Sequence, residues 1–438
     1  MLTLSLLLGA AFAETRSFEV AVTAAAGERV PVSLDLLTVR DSVGADFPFD
    51  WNDLTVTVAG ETVAWQIDDV DLNGRVSAGD ELSFLAAGNA TITVSDEPIG
   101  AAEAEAALDV VKDGDTTVIT SRELDGFSVE IAEEGLARIT GFGATDGVLA
   151  AELGLLRFAG YPDSTWWANE QYGPHEEYTT LEQGGARHVQ TQVLAAGPVR
   201  VTVVSEYVSD RFVGLTQRVV TRVYANGDVD VSNSVRFGGY SDLMKLQHMA
   251  TNVLSQVDTE AVHLVPEFRR LLWADQLEIS SVDYFQERDA VQTVDGEPVI
   301  AFPASSNASP LYWGAAYIFA SAEPWRAAYS EALGLVVVES AHETPAVAED
   351  YNEWLAGNTW VFESQEFRTG VFKWTADEFA TYPVSAEIAG NQPNHYLPGD
   401  TVEFRYTYSV RAADSLEAAV RTARSLQAGI ASVALADE

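Results

Sequence analysis

"LTQRVVTRVYANGDVDVSNSVRF" (Leu215–Phe237) holds two runs in which apolar and polar residues alternate, split by Asn226-Gly227. A period of two turns one side of each run inward, and Asn-Gly supplies the positive φ of a tight turn. The stretch therefore reads as a β-hairpin. Upstream, "GPVRVTVVSEYV" (Gly197–Val208) is a further strand able to pair with it. Downstream, "LPGDTVEFRYTYSV" (Leu397–Val410) follows Pro-Gly turn chemistry with Val402, Phe404, Tyr406 and Tyr408 in clean alternation. Strand patterns of this kind run from about Thr117 nearly to the end with few helical ones, which predicts a large antiparallel β-sandwich.

Ahead of it, "FEVAVTA", "RVPVSLDL", "LTVTVAG", "TVAWQI", "ELSFLA" and "ATITVSD" read as short strands of a small β-domain over residues 14–100. Residues 101–116, alanine-rich, read as a linker or short helix, and 117–438 as the sandwich domain. "DSLEAAVRTARSLQAGI" predicts a short C-terminal helix, with Asp414 or Ser415 as N-cap and Leu416, Val420 and Leu426 on one side. Residues 1–13 end in Ala11-Phe12-Ala13 after an apolar run, which predicts an export signal cleaved before Glu14. The expected class is all-β, and the expected location secreted or periplasmic.

Composition narrows the partners. Of 438 residues, 66 are acidic and 25 basic, a formal charge of -41, and lysine occurs only at 112, 245 and 373. Nucleic acid and anionic membranes need a basic footprint, so both are excluded as expected partners. No apolar run is long enough for a membrane span. Even acidity with almost no lysine fits a halophilic surface kept soluble in high salt, or an acidic exported protein of a moderate environment. There is no cysteine, so no disulfide braces the chain. A monomer is expected.

The order "FSVEIAEEGLARITGFG", "GPVRVTVVSEYV", "LTQRVVTRVYANGDVDVSNSVRF", "YLPGDTVEFRYTYSV" resembles the galactose-mutarotase-like supersandwich, shared by aldose epimerases and by sandwich domains of polysaccharide lyases and glycoside hydrolases. The segment with "VAWQIDDVDLNGRVSAGDELSFLA" is similar to domains that precede such sandwiches in secreted carbohydrate-degrading proteins. The resemblance covers most of residues 15–425. It implies a fold and a carbohydrate ligand, but the long α/α-barrel of many such lyases is absent.

Within that N-terminal segment, Asp69, Asp71 and Asn73 stand at positions 1, 3 and 5 of a calcium-type loop, with Gly74 at the sharp turn. Arg75 would offer its backbone carbonyl, Ser77 its side chain or a water, and Asp80 closes the loop. Hard oxygen donors suit Ca²⁺ in a structural role. A merely solvated Asp/Asn-Gly turn is the alternative.

"GYPDSTWWANEQYGPHEEYTTLEQGGARH" (Gly160–His188) gathers aromatic, histidine and arginine side chains with few strand signals. Tyr161, Trp166, Trp167 and Tyr178 are candidates to stack on sugar rings, or else pin the loop to the core. A lyase needs a base at the uronate C5, an acid at the leaving oxygen and a cation at the carboxylate. Tyr172 or His175 would serve as base and acid, and Arg187 or His188 would hold the carboxylate. The resemblance implies that Lys245 and His248, on a middle strand, face the same cleft. His263, His342 and His395 read as structural residues. No G-x-S-x-G, Walker A, H-E-x-x-H or C-x-x-C motif occurs. Three readings stay open: a lyase-like enzyme (or glycoside hydrolase) on an acidic polysaccharide, a non-catalytic carbohydrate binder, and a structural exoprotein.

Overall fold

The structure is a computed structural model and describes residues 14–44, 46–47, 49–51, 53–97, 105–160, 177–179, 186–194, 196–209, 214–266, 268–270, 291–303, 317–321, 323–342, 358–361, 372–378 and 394–435. The chain forms two compact units: Met1–Glu105 with Ser432–Glu438, and Ala106–Ala431. The predicted export signal lies outside the described residues.

In the first unit the elements are β1 (Thr15–Ala21), β2 (Val30–Asp35), α1 (Leu36–Val43), β3 (Leu54–Val58), β4 (Trp65–Asp68), β5 (Glu81–Ala86) and β6 (Ala90–Ser95). One sheet runs Ala434–Leu435, β1, β6, β3, Glu61–Thr62, and a second runs β2, β5, β4, every pair antiparallel. Alternation does the sorting: Leu54, Val56 and Val58 on β3, and Ala90, Ile92 and Val94 on β6, are all buried. The helix is an addition to the small β-domain expected from strands alone, and it takes over the last residue of the strand read as "RVPVSLDL". Asp35 caps it, its Oδ1 accepting the Thr38 N–H at 2.7 Å, and Leu36, Val39 and Val43 then share the buried side. The β-branched residues of this stretch mask a helical spacing of three and four.

The second unit is the antiparallel sandwich, as the alternation predicts. Its main elements are β7 (Leu108–Asp113), β8 (Thr116–Ser121), β9 (Ser128–Ala132), β10 (Ala137–Phe142), β11 (Thr145–Gly160), β12 (Ala186–Val193), β13 (Arg200–Ser209), β14 (Thr216–Tyr224), β15 (Asp228–Arg236), β16 (Ser241–Thr251), β17 (Val262–Pro266), β18 (Trp325–Ser330), β19 (Leu335–Ala341), β20 (Phe372–Glu378), β21 (Thr401–Ala412) and α2 (Leu416–Ala431). Part of the stretch expected as a linker is strand: β7 pairs with β8 through a turn at Gly114, φ +60°. The Asp113-Gly114 pair between two β-branched runs was the signal for it.

Among the described residues, one sheet has twelve strands, with β20, β16, β11, β10, β9, β8 and β7 as consecutive neighbours. The other has ten, beginning β12, β13, β14, β15, β21, β19, β18, β17. Between them lies one core, in which Val129, Ile139, Leu149 and Leu156 of the first sheet meet Val201, Val219, Val231, Val337 and Tyr408 of the second. The Asn226-Gly227 hairpin joins β14 to β15 through three residues, with Gly227 at φ +88° and its N–H donated to Tyr224 O.

Where β11 crosses this core its register breaks, between Ala151 and Leu155. Gly154 stands there at φ +89°, and a Cβ on it would lie 3.0 Å from Val231 Cγ1. Its carbonyl accepts from two buried amides of the opposite sheet, Asn233 Nδ2 at 2.9 Å and Gln217 Nε2 at 3.3 Å. A bulge frees that carbonyl, and the amides meet the demand a buried acceptor makes. On the other side of the ten-stranded sheet, α2 covers β18 and β19. Ser415 is its N-cap, accepting from the Ala418 N–H, and Val420, Ala423 and Leu426 pack on Trp325, Val336 and Val338.

Candidate functional site

Two polar constellations stand out, one in each unit. The first is the loop between β4 and β5. Asp69 Oδ1 and Oδ2 accept the Asn73 and Gly74 N–H groups at 3.0 and 2.7 Å. Asp71 Oδ2 accepts from Asn73 Nδ2 at 2.7 Å and Ser77 Oγ at 2.8 Å. Leu72 and Gly74 take positive φ, which folds the chain tightly enough to bring these groups together. One carboxylate oxygen from each of Asp69, Asp71 and Asp80 lies within 4.8 Å of the others, so the three could hold a metal ion. Asp80 is wholly buried; its Oδ2 accepts the Ser77 N–H at 2.6 Å and its Oδ1 has no hydrogen-bond partner. Burial, then Asp71 and Asp69, push its carboxyl up, while the Ser77 hydroxyl above all holds Asp71 down. Arg75 is exposed, its N–H donated to Asn73 Oδ1 at 2.8 Å.

The second constellation is the side of the ten-stranded sheet turned away from the sandwich core. Register fixes its membership, because residues directly opposite on paired strands share a side. Arg187 faces Val208; Arg200 faces Tyr224, Glu206 faces Arg218 and Thr202 faces Arg222. Arg222 faces Asp230, Asp230 faces Thr407, Ser232 faces Arg405 and Ser234 faces Glu403. Arg236 and Asp228 follow on β15, and Arg411 on β21. Among the described residues, seven arginines of β12 to β15 and β21 thus share this side with four carboxylates of the same strands (Glu206, Asp228, Asp230, Glu403), in a chain where acids outnumber bases 66 to 25. The local charge balance is inverted.

At its centre is Asp230, fully buried. Arg222 reaches Oδ1 at 2.9 Å, Arg405 Nε reaches Oδ2 at 3.0 Å, and His342 Nε2 lies 3.0 Å from Oδ2 and 2.9 Å from Thr407 Oγ1. Burial alone would raise this carboxyl, but Arg405, then His342 and Arg222, outweigh it and hold it well below the usual carboxylate range. His342 is pushed down by burial and by Arg405, against the pull of Asp230. Beside them Arg200 donates to the Tyr224 hydroxyl at 2.8 Å, and Asp228 pairs with Arg411 at 2.9 Å. Arg187 and Arg236 are exposed, at the margin of the patch.

The residues named from sequence fall as follows. Tyr161, Trp166, Trp167, Tyr172 and His175 lie outside the described residues. Tyr178 sits on the strand Glu177–Thr179, in register with Phe158 of β11. Arg187 and His188 are neighbours on β12 and turn to opposite sides. Arg187 joins the arginine-rich side, whereas His188 meets the Tyr207 ring edge-on at 5.7 Å and Thr191 Oγ1 at 2.9 Å, on the core side. Lys245 and His248 both lie on β16 in the twelve-stranded sheet, opposite Ala159 and Leu156. The structure brings Asp69, Asp71, Asn73, Ser77 and Asp80 together; it does not bring His188 to Arg187. Asp230, Arg222 and Arg405 carry no signal in the sequence, since an acid alternating with valines on a strand reads as solvent-facing; His342, read as a structural residue, is their partner.

No family model matches the chain, and no curated protein does. Among solved structures, it is similar to a candidate aldose 1-epimerase from Klebsiella pneumoniae, at 12% identity and a TM-score of 0.41, covering 94% of this chain and 96% of that one. It is also similar to a galactose 1-epimerase from Lactobacillus acidophilus (8% identity, TM-score 0.35, 70% and 100% covered). An α-N-acetylgalactosaminidase from Bifidobacterium bifidum gives 10% identity and a TM-score of 0.33, with 72% of this chain and 38% of that one covered. Likeness at this level concerns strand arrangement and transfers neither residues nor a reaction.

Proposed function

We propose that the chain is an exported carbohydrate-active protein whose ligand is an acidic glycan, taken on the arginine-rich side of the ten-stranded sheet. The observation that carries this reading is the charge inversion. A chain at -41 overall repels polyanions, whereas on these strands seven arginines outnumber four carboxylates, and the two exposed ones, Arg187 and Arg236, favour an anion at the margin of this side. Planar guanidinium groups suit carboxylates better than lysine does. Arg187 and Arg236, at the exposed margin, are the groups best placed to meet a uronate. For the reaction we favour β-elimination, with Tyr172 and His175 as candidate base and acid; Lys245 and His248 lie on β16 of the other sheet, across the core from this side, and are not assigned to it. Binding without turnover is the second reading, supported by the way Asp230 and His342 are committed to each other and to arginines.

The test is incubation of the full chain with polygalacturonate, alginate and neutral glucan, following ultraviolet absorbance of unsaturated uronate alongside affinity electrophoresis. Retardation by the acidic glycans only, weakened roughly threefold to tenfold in Arg187→Ala as befits an exposed charge contact, supports the site. Absorbance growth supports the lyase, whereas retardation without it supports the binder. Equal retardation by the neutral glucan, or none at all, defeats the acidic-ligand reading.

A further inference from the structure

We propose that the loop between β4 and β5 is a structural site for a hard divalent cation of calcium size, nucleated by the carboxylates of Asp69, Asp71 and Asp80 and linked through Asp80 to the start of α1. Three acidic side chains with oxygens within 4.8 Å would not by themselves make a site on so acidic a protein. What singles out this cluster is Asp80. Its side chain is completely buried, one oxygen has no hydrogen-bond partner, and no arginine, lysine or histidine pairs with it among the described residues. A buried charge of this kind is otherwise paired or bound to a metal. Here the groups nearest to it include two more carboxylates of the same sign, so the missing partner is a cation.

The donors fix its class. Carboxylate, amide and hydroxyl oxygens of Asp69, Asp71, Asn73, Ser77 and Asp80 are hard ligands, and no imidazole or thiolate is among them, which disfavours zinc and copper. Magnesium keeps most of its water and asks for few protein ligands, whereas calcium accepts a dense set of protein oxygens. Gly79 leaves room for the Asp71 carboxylate: a Cβ there would stand 2.8 Å from Asp71 Oδ2.

The link to the fold is the Asp80 backbone. Its carbonyl accepts the Leu36 N–H at 2.9 Å, satisfying one of the donors left open at the first turn of α1. A cation that fixes Asp80 therefore also fixes the entry of the helix. The site belongs to the first unit and is independent of the glycan reading.

The full chain, stripped with chelator and titrated with CaCl₂, tests this by calorimetry and thermal unfolding. The expected result is one saturable site with a Kd of roughly 10⁻⁵–10⁻³ M and a rise in unfolding midpoint that chelator reverses. Mg²⁺ at equal concentration should give a smaller rise. Asp71→Asn alters an exposed residue and should leave the circular dichroism unchanged while weakening Ca²⁺ on the order of tenfold or more. Asp80→Asn should abolish the response. Neither heat nor a midpoint shift at millimolar Ca²⁺ would overturn the proposal. So would an Asp71→Asn chain that titrates like its parent, or displacement of Ca²⁺ by equimolar Zn²⁺.

Discussion

A histidine in the sandwich shows how burial sets charge. His263 on β17 lies in register with Ala328 of β18, and burial, reinforced by Arg326, pushes its imidazole down to about 3 from an ordinary 6.5. The native ring stays neutral where the unfolded chain takes up a proton. Its contribution to stability is therefore whole above about pH 6.5 and is lost as pH falls towards 3, at up to about 1.4 kcal/mol per pH unit. His342, also pushed down, acts in the same direction. Urea unfolding between pH 7 and 4 should show this slope, and His263→Phe should flatten it; an unchanged slope would refute the assignment. At this scale the sequence was only partly legible. The residues of the loop between β4 and β5 announce themselves by spacing, because the contacts among them are local. Asp230 does not: Arg222 faces it across the same hairpin, but Arg405 and His342 come from two distant stretches of chain.

Elements were read best where one rule dominated. The hairpin around Asn226-Gly227 needs only alternation and a turn, and both are written locally. Helix α1 was missed because its apolar spacing is filled by residues that favour strands. The bulge in β11 was invisible too, since "AAELGLLRF" does not show that a carbonyl there answers to Gln217 and Asn233. Gly154→Ala should test that feature. A side chain at φ +89° pressed against Val231 should cost about 1–3 kcal/mol in equilibrium unfolding. A loss below about 0.5 kcal/mol, the range of ordinary surface changes, would mean that the bulge relaxes freely.

Across the whole molecule, the acid count is legible at once, but the gathering of arginines is not. They are scattered between positions 187 and 411 and meet only through sheet register. The remaining surface carries unbalanced negative charge. Raising KCl from about 0.1 M to about 1 M shortens the screening length from about 10 Å to about 3 Å. The thermal midpoint should rise over that range, and a fall would show that attractive pairs, not repulsion, govern stability. Among the described residues no helix is long and apolar enough to cross a membrane.

The two-residue strand Ala434–Leu435 gives the molecule a schedule as well as an edge. It completes the first unit's sheet by pairing with β1, and nearby Ser432 Oγ accepts the Thr23 N–H from 409 residues away. During vectorial synthesis the small unit is begun first and closed last, after every strand of the sandwich has emerged. Until then β1 presents an open rim, and joining pieces so distant in sequence is slow. The assembly works like a parenthesis, opened by one sheet and shut by its own outermost strand.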